Sequence, residues 1–185
     1  MSPTFSSLNL VLLGPPGSGK GTQARALAER YTIPHISTGA LLRGEVRRES
    51  GVGIAARDSI ERGDLVSDAV MRGLVLERLD REDCARGFLL HGYPRNLEQA
   101  KVLDDILAEL GRSLERVVLL SMPDETASAR LGGRWIHEAS GRIYHREYDP
   151  PRSNNTDNFT GEALTRRADD SEIVVRRRLN IYREQ

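Results

Sequence analysis

Cysteine is almost absent: Cys84 stands alone in 185 residues. That excludes an internal disulfide and any zinc cage built from cysteine thiolates. Aromatic residues are scarce, at 5%. Neither sign of charge predominates, since 27 basic groups stand against 27 acidic ones. A neutral total gives no overall field to gather nucleic acid or an anionic membrane, so neither is an expected partner. Long apolar runs are missing as well; stretches such as Val117–Leu120 are far too short to cross a bilayer. The opening Met1-Ser2-Pro3-Thr4-Phe5 has neither the basic lead nor the apolar stretch of a secretory signal. What remains is a globular balance, 38% hydrophobic and 29% charged, enough for one domain with a sizeable core. A cytoplasmic location is the default expectation these absences leave.

The chain alternates strand-like and helix-like patterns. Leu8-Asn9-Leu10-Val11-Leu12-Leu13 is almost unbroken in its apolarity, as are Phe88-Leu89-Leu90 and Val117-Val118-Leu119-Leu120. Continuous rather than alternating apolarity predicts strands covered on both faces of a parallel sheet. Leu97, Ala100, Leu103, Leu107 and Leu110 recur at helical spacing and predict one apolar stripe. Helices are also expected over Thr22 to Arg30 and Asp169 to Gln185. The second has acidic residues at its start and arginines toward its end, in keeping with the helix dipole. Strands alternating with helices predict a doubly wound α/β fold. Two stretches break the rhythm. Thr38 to Asp68 is helical in composition and reads as an inserted cap. Gly133 to Asp170 is polar, with the tract Ser153-Asn154-Asn155-Thr156-Asp157-Asn158. Its β-prone pieces Trp135–His137 and Arg142–His145 flank Ser140-Gly141 and predict a small hairpin, hence a lid.

Gly14-Pro15-Pro16-Gly17-Ser18-Gly19-Lys20-Gly21-Thr22 follows the first predicted strand and opens a predicted helix. Glycines let the backbone curl so that successive N–H groups point at an anion, and the helix adds the positive end of its dipole. Lys20 then stands where an ammonium bridges phosphates. The general loop places Ser or Thr directly after the lysine to hold magnesium, whereas here Gly21 intervenes before Thr22.

The form GxPGxGKGT is the one found in nucleoside monophosphate kinases, and the chain closely resembles the adenylate kinase family from Leu8 to its end. Four further segments carry the resemblance: Ile36-Ser37-Thr38-Gly39 with Arg43, Gly63-Asp64-Leu65-Val66-Ser67-Asp68, Gly92-Tyr93-Pro94-Arg95 with Gln99, and the arginines flanking the lid. The resemblance implies a P-loop three-layer α/β fold, a parallel sheet flanked by helices over 1–185, with an AMP-binding subdomain at 37–66 and a lid at 133–170. It implies reversible transfer of the terminal phosphoryl group of ATP to AMP, giving two ADP, by a monomer. Gly17, Ser18, Gly19, Lys20, Gly21, Thr22, Arg130, Arg134, Ile143 and Tyr144 would hold ATP. Thr38, Gly39, Arg43, Asp64, Leu65, Val66, Gly92, Tyr93, Pro94, Arg95 and Gln99 would hold AMP. Arg134, Arg167 and Arg178, with Lys20 and Arg95, would act on the transferred group, Arg167 and Arg178 also reaching AMP. Related UMP/CMP kinases tend to carry alanine where this chain has Thr38, which tilts the choice of base toward adenine. Arg176 and Arg177 are expected to be solvated surface charge.

His137, Ser140, Asp157 and Thr160 occupy the places where zinc-bearing lids carry four metal ligands. Lacking a thiolate, the set suits a hydrogen-bonded pin, and no structural zinc is expected. Trp135 stands where a second arginine is usual. Magnesium is expected to arrive with ATP, yet the family's Phe-Leu-Leu-Asp-Gly reads Phe88-Leu89-Leu90-His91-Gly92 here, and imidazole is a poor partner for hydrated magnesium. Asp169 is the alternative carboxylate. The family's carboxy-terminal strand and closing helix have no counterpart in the sequence, so an apolar sheet face and edge are expected to be open. These departures keep a second reading alive, a nucleotide-binding protein of this fold with little or no catalysis.

Overall fold

The computed structural model describes residues 7–153 and 155–185; the opening Met1–Phe5 and Asn154 of the polar tract lie outside the described residues. Four strands, β1 (Leu8–Leu13), β2 (His35–Ser37), β3 (Gly87–His91) and β4 (Arg116–Leu119), form a parallel sheet in the order β2-β3-β1-β4. The register sets Val11 between Leu90 and Val117. β1 and β3 are the apolar strands that the sequence pattern predicts, and Phe88, Leu89 and Leu90 are fully buried. The polar exception in β1, Asn9, is buried with its Nδ2 donating to Ser113 O at 2.8 Å. β2 is a strand that periodicity does not reveal, because three residues with one buried side chain, Ile36, are too few to show a period.

Side chains alternate between two helical layers, as the strand period requires. On one face Val11, Ile36, Phe88 and Leu90 pack with α4 (Asp68–Leu79) and α5 (Leu97–Glu109) through Met71, Val75, Leu79, Leu103, Ile106 and Leu107. On the other, Leu10, Leu12 and Leu89 pack with Ala24 and Ala28 of α1 (Lys20–Tyr31) and with Ile33. Each large aliphatic so buried contributes roughly 1.5–3 kcal/mol. The α5 stripe is shifted from the predicted one. Leu97 is 68% exposed because it opens the first turn, where Asn96 caps the helix by accepting from Gln99 N at 2.8 Å.

β4 departs further. Its apolar run predicts burial on both faces, yet Val117, Val118 and Leu119 are 53%, 43% and 61% exposed. The strand lies at the sheet edge with β1 as its one neighbour among the described residues, so its apolar side chains stay open to solvent.

Two excursions complete the fold. α2 (Thr38–Arg47) and α3 (Gly51–Arg62) form the helical arm. They cross so closely at Gly53 that a Cβ there would lie 2.1 Å from Glu45 O. After α6 (Asp124–Gly132), the lid hairpin pairs β5 (Arg134–His137) with β6 (Arg142–His145), His137 opposite Arg142. The chain returns to pair Thr165 with Ile136. The predicted terminal helix is divided: a 3₁₀ turn at Ala168–Asp170, then α7 (Glu172–Glu184), with extended Ser171 between them. No helix among the described residues is long and apolar enough to cross a membrane.

Candidate active site

The glycine-rich turn between β1 and α1 is held by close packing. Gly17 and Gly19 have φ of 83° and 86°, a region that L side chains rarely adopt. A Cβ at Gly17 would meet Ala127 O at 2.6 Å, so the loop is pressed against α6. Lys20 Nζ reaches back across the turn, donating to Gly14 O and Pro15 O at 2.7 Å each and to Ser18 Oγ at 3.4 Å. Burial, then the nearby Arg95, Arg178 and Arg134, push this ammonium down to about 8.

Around Lys20 the fold gathers cations from every part of the chain. Arg43 comes from α2, Arg95 from the turn after β3, Arg134 from the lid, Arg167 from the segment that returns from the lid and Arg178 from α7. Six cations thus face two carboxylates, Asp169 and Asp170. Asp169 accepts from Arg178 at 2.9 Å and lies 3.8 Å from Arg43. Asp170 is gripped in bidentate fashion by Arg134, with Nε at 2.7 Å. Among the described residues the others meet no carboxylate. Arg95 Nε donates to Gly92 O at 2.9 Å, and Arg167 Nε is buried without a partner among the described residues. Although Arg95 keeps surface open to the cleft, protein surrounds it; burial and the neighbouring Arg178 and Arg43 push it down to about 10. Burial, with Arg134 and Arg43, pushes Arg167 down to about 9. Guanidinium groups remain charged at neutral pH even so, and the surplus of positive charge is a demand for a polyanion.

Two hollows meet here. A cleft of about 1190 Å³ is lined by the glycine-rich turn, Arg130, Arg134, Ile143, Tyr144 and Arg167. A recess of about 60 Å³ is lined by Gly39, Arg43, Asp64–Val66, Arg95, Gln99 and Arg178. Thr38 is buried behind it, its Oγ1 3.5 Å from His91 O. Gln99 is buried with its amide oriented: Oε1 accepts from Arg95 N at 2.9 Å and Nε2 donates to Asp68 at 2.8 Å. Gly92 and Pro94 line the cleft, whereas Tyr93 is buried in the core beneath it. The recess is small against the roughly 300–1,000 Å³ of ordinary ligand sites, because the arm is drawn onto α7. Arg177 Nε donates to Asp64 at 2.6 Å, and a Cβ at Gly63 would meet Val174 Cγ1 at 2.8 Å. Arg176 and Arg177 are both exposed, as expected of surface charge; Arg177 nonetheless meets a carboxylate of the arm, while Arg176 stands beside Glu172 at 3.0 Å.

In the lid, the four pin residues come together. His137 Nδ1 lies 2.7 Å from Ser140 Oγ, and Thr160 Oγ1 donates to Asp157 Oδ2 at 3.0 Å. The knot is larger than the quartet. Asp157 also receives Arg142 at 2.7 and 2.6 Å and the Tyr144 hydroxyl at 2.8 Å, while Glu162 meets His137 Nε2 at 2.5 Å. The Arg142 fork holds the Asp157 carboxyl far below the usual carboxylate range. Arg142 and Glu162 carry no signal in the sequence that distinguishes them from surface charge.

Beneath the turn, His91 Nε2 lies 2.7 Å from His35 Nε2. Ring centroids 4.9 Å apart and planes 19° from parallel describe a head-to-head N–H···N bond. Burial, then His35, Lys20, Arg43 and Arg167, push His91 down to about 3; burial and Arg25 lower His35 as well. Both rings are neutral at pH 7.

Comparison with known proteins bears on what fills these hollows. The family model described as adenylate kinase matches residues 12–185. A protein named adenylate kinase from Vanderwaltozyma polyspora is 43% identical over the whole of this chain and 83% of its own length. One from Kluyveromyces lactis is 43% identical over 97% of the chain and 79% of its own length. One from Fusobacterium nucleatum is 45% identical over 97% and 82%.

Proposed function

The chain belongs to the adenylate kinase family, whose members move the terminal phosphoryl group of ATP to AMP, and on that premise we propose how its residues divide the work. The curled turn and Lys20 hold the ATP phosphates, and Arg130, Ile143 and Tyr144 border the rest of that nucleotide. Arg43 and Arg95 take the AMP phosphate, with Thr38, Gly39, Asp64–Val66, Gly92–Pro94 and Gln99 around its base and ribose. Arg134, Arg167 and Arg178 close on the group in flight.

Phosphoryl transfer asks for positioning and for charge opposite three equatorial oxygens, with little covalent work left to the protein. No general base is required, since the attacking AMP phosphate is already anionic. The observation that carries this reading is the set of six cations with two carboxylates, Arg167 Nε unpaired among them. Cations fixed before the substrate arrives need no reorganisation in the transition state. Asp169 and Asp170 space the arginines in the meantime. Arm and lid both bear on the core, the lid through Arg25 donating to Gly141 O at 3.2 Å, so closure would shut out water that otherwise hydrolyses ATP.

Magnesium is the family's usual companion to ATP, and the donor set does not fit it. Magnesium takes hard oxygen ligands, carboxylates above all. Here β3 ends in His91, Asp169 and Asp170 are committed to arginines, and the carboxylates lining the cleft, Glu138 and Asp149, belong to the lid.

A coupled assay for ADP tests the reading. ADP should form only when ATP and AMP are both present, and hydrolysis of ATP alone should be far slower. ADP formation indifferent to AMP would overturn it.

A further inference from the structure

We propose that Asp68 is a specificity-determining residue of the acceptor site: together with the Arg95 main chain, it locks the Gln99 amide in the one orientation that pairs with a 6-aminopurine and refuses a 6-oxopurine. The inference rests on the reading that Gln99 lies against the acceptor base.

The lock is built from local structure. Asn96 accepts from Gln99 N at 2.8 Å at the start of α5, which fixes the backbone from which the side chain leaves. Gln99 is 2% exposed and lines the recess with Leu65, Val66 and Met71. Its Oε1 accepts from Arg95 N at 2.9 Å, and its Nε2 donates to Asp68 Oδ1 at 2.8 Å. A backbone N–H donates and a carboxylate accepts, and neither can exchange roles. Turning the amide over would therefore set donor against donor at Arg95 and acceptor against acceptor at Asp68. The carboxylate comes from the first turn of α4, 31 residues earlier in the chain. Arg72, one turn along that helix, is paired with Glu109 at 3.0 Å rather than with Asp68. An acidic group in a first turn also suits the helix dipole, but that role is indifferent to which way Gln99 is turned.

An amide carries two N–H donors and two acceptor lone pairs. The two clamps use one of each, so one donor and one acceptor remain for a ligand, in fixed order. Adenine answers that order: its N6 amino group donates to Oε1, and N1 or N7 accepts from Nε2. Hypoxanthine and guanine carry an oxygen in place of that amino group and a proton on N1. Against their pairing edge Oε1 meets oxygen and Nε2–H meets N1–H, and buried groups are left unpaired. Sites of this kind discriminate strongly, because the loss is that of every unpaired group at once. An unclamped amide would turn over and accept either base.

The test compares AMP with inosine monophosphate, which differ only in the 6-substituent and the N1 proton, by steady-state kinetics with ATP and by calorimetric binding. The wild type should prefer AMP strongly. Asp68→Asn, whose amide donates as well as accepts, should lower that preference by about tenfold or more in kcat/KM. The change should lie chiefly in a raised KM for AMP, with kcat for AMP and KM for ATP little altered. Asp68→Glu should keep the preference, since a longer carboxylate still only accepts; position 68 is exposed, so neither substitution threatens the core. If Asp68→Asn weakens AMP and inosine monophosphate in equal proportion, or if Asp68→Glu loses the preference as fully as Asp68→Asn, the lock is wrong and the kinase reading stands. If the wild type treats the two nucleotides alike, Gln99 does not read the base, and that reading falls together with this inference.

Discussion

The lid and the cleft each hold a dense cluster of charged groups, and the two are built on opposite principles. In the lid, Asp157 accepts from Arg142, Tyr144 and Thr160, and His137 is matched on both ring nitrogens by Ser140 and Glu162. Nearly every donor has its acceptor, and the result is a rigid knot. In the cleft, among the described residues, six cations share two carboxylates, Lys20 leans on main-chain carbonyls, and a buried Arg167 nitrogen finds no acceptor. A satisfied network specifies a shape, while an unsatisfied one stores an affinity. The difference separates the groups that hold this molecule together from those that wait for a ligand.

The sharpest way to break the comparison is to remove a charge from each side. Arg167→Met should lower kcat/KM by about 10²–10³-fold, the scale of losing one pre-placed electrostatic donor. The melting temperature should hold or rise, because a buried like charge is relieved; a large drop would mean that Arg167 is structural. Asp157→Asn should behave in the opposite way. It strips the Arg142 fork, so proteolysis within the lid should quicken markedly. The fall in kcat/KM should be the smaller one, about tenfold, through misplacement of the lid. Equal losses of activity in the two variants, with equal loss of stability, would erase the distinction.

Lys20 gives an intermediate effect through pH. Its folded value of about 8 lies below the ordinary lysine value of 10.5, so between those values the unfolded chain binds more protons than the native one. Stability of the free protein should therefore rise gently as pH climbs from about 8 to 10.5, all else equal. Nucleotide affinity should fall over the same range, because bound phosphates favour the protonated ammonium and binding must take up a proton. Calorimetry in buffers of different ionisation enthalpy would measure that uptake above pH 8. The smallest effect belongs to the arm. Arg177→Ala removes an exposed ion pair with Asp64, worth about 0.2–1 kcal/mol, and should tighten AMP binding by at most a few-fold by easing the arm open.

What the sequence discloses divides along the same line between local and distant. The glycine-rich turn is legible because its geometry is encoded within nine consecutive residues, Gly14 to Thr22, and β1, β3 and the lid hairpin are legible from patterns of similar length. β4 shows the limit. An apolar run reports that a strand tolerates burial and says nothing of what covers it, and Val117–Leu119 stay exposed. Arg177 shows another, since a run of arginines on a helix gives no hint of which one faces a carboxylate 113 residues away. The His35–His91 bond joins positions 56 residues apart. His91 is visible in the sequence as a departure from a motif, but its partner emerges only when β2 is laid beside β3. Similarly, the quartet in the lid is readable by analogy, whereas Arg142 and Glu162 join it only in three dimensions.

The central claim is that the unpaired cations of the cleft await two nucleotides end to end. A crystal structure with two adenosines joined by a chain of five phosphates tests it most directly. The phosphate chain should run from the turn at Lys20 to Arg43 and Arg95, with Arg134, Arg167 and Arg178 turned onto its middle. A chain bound outside the hollow, with those arginines still held by Asp169 and Asp170, would contradict the account.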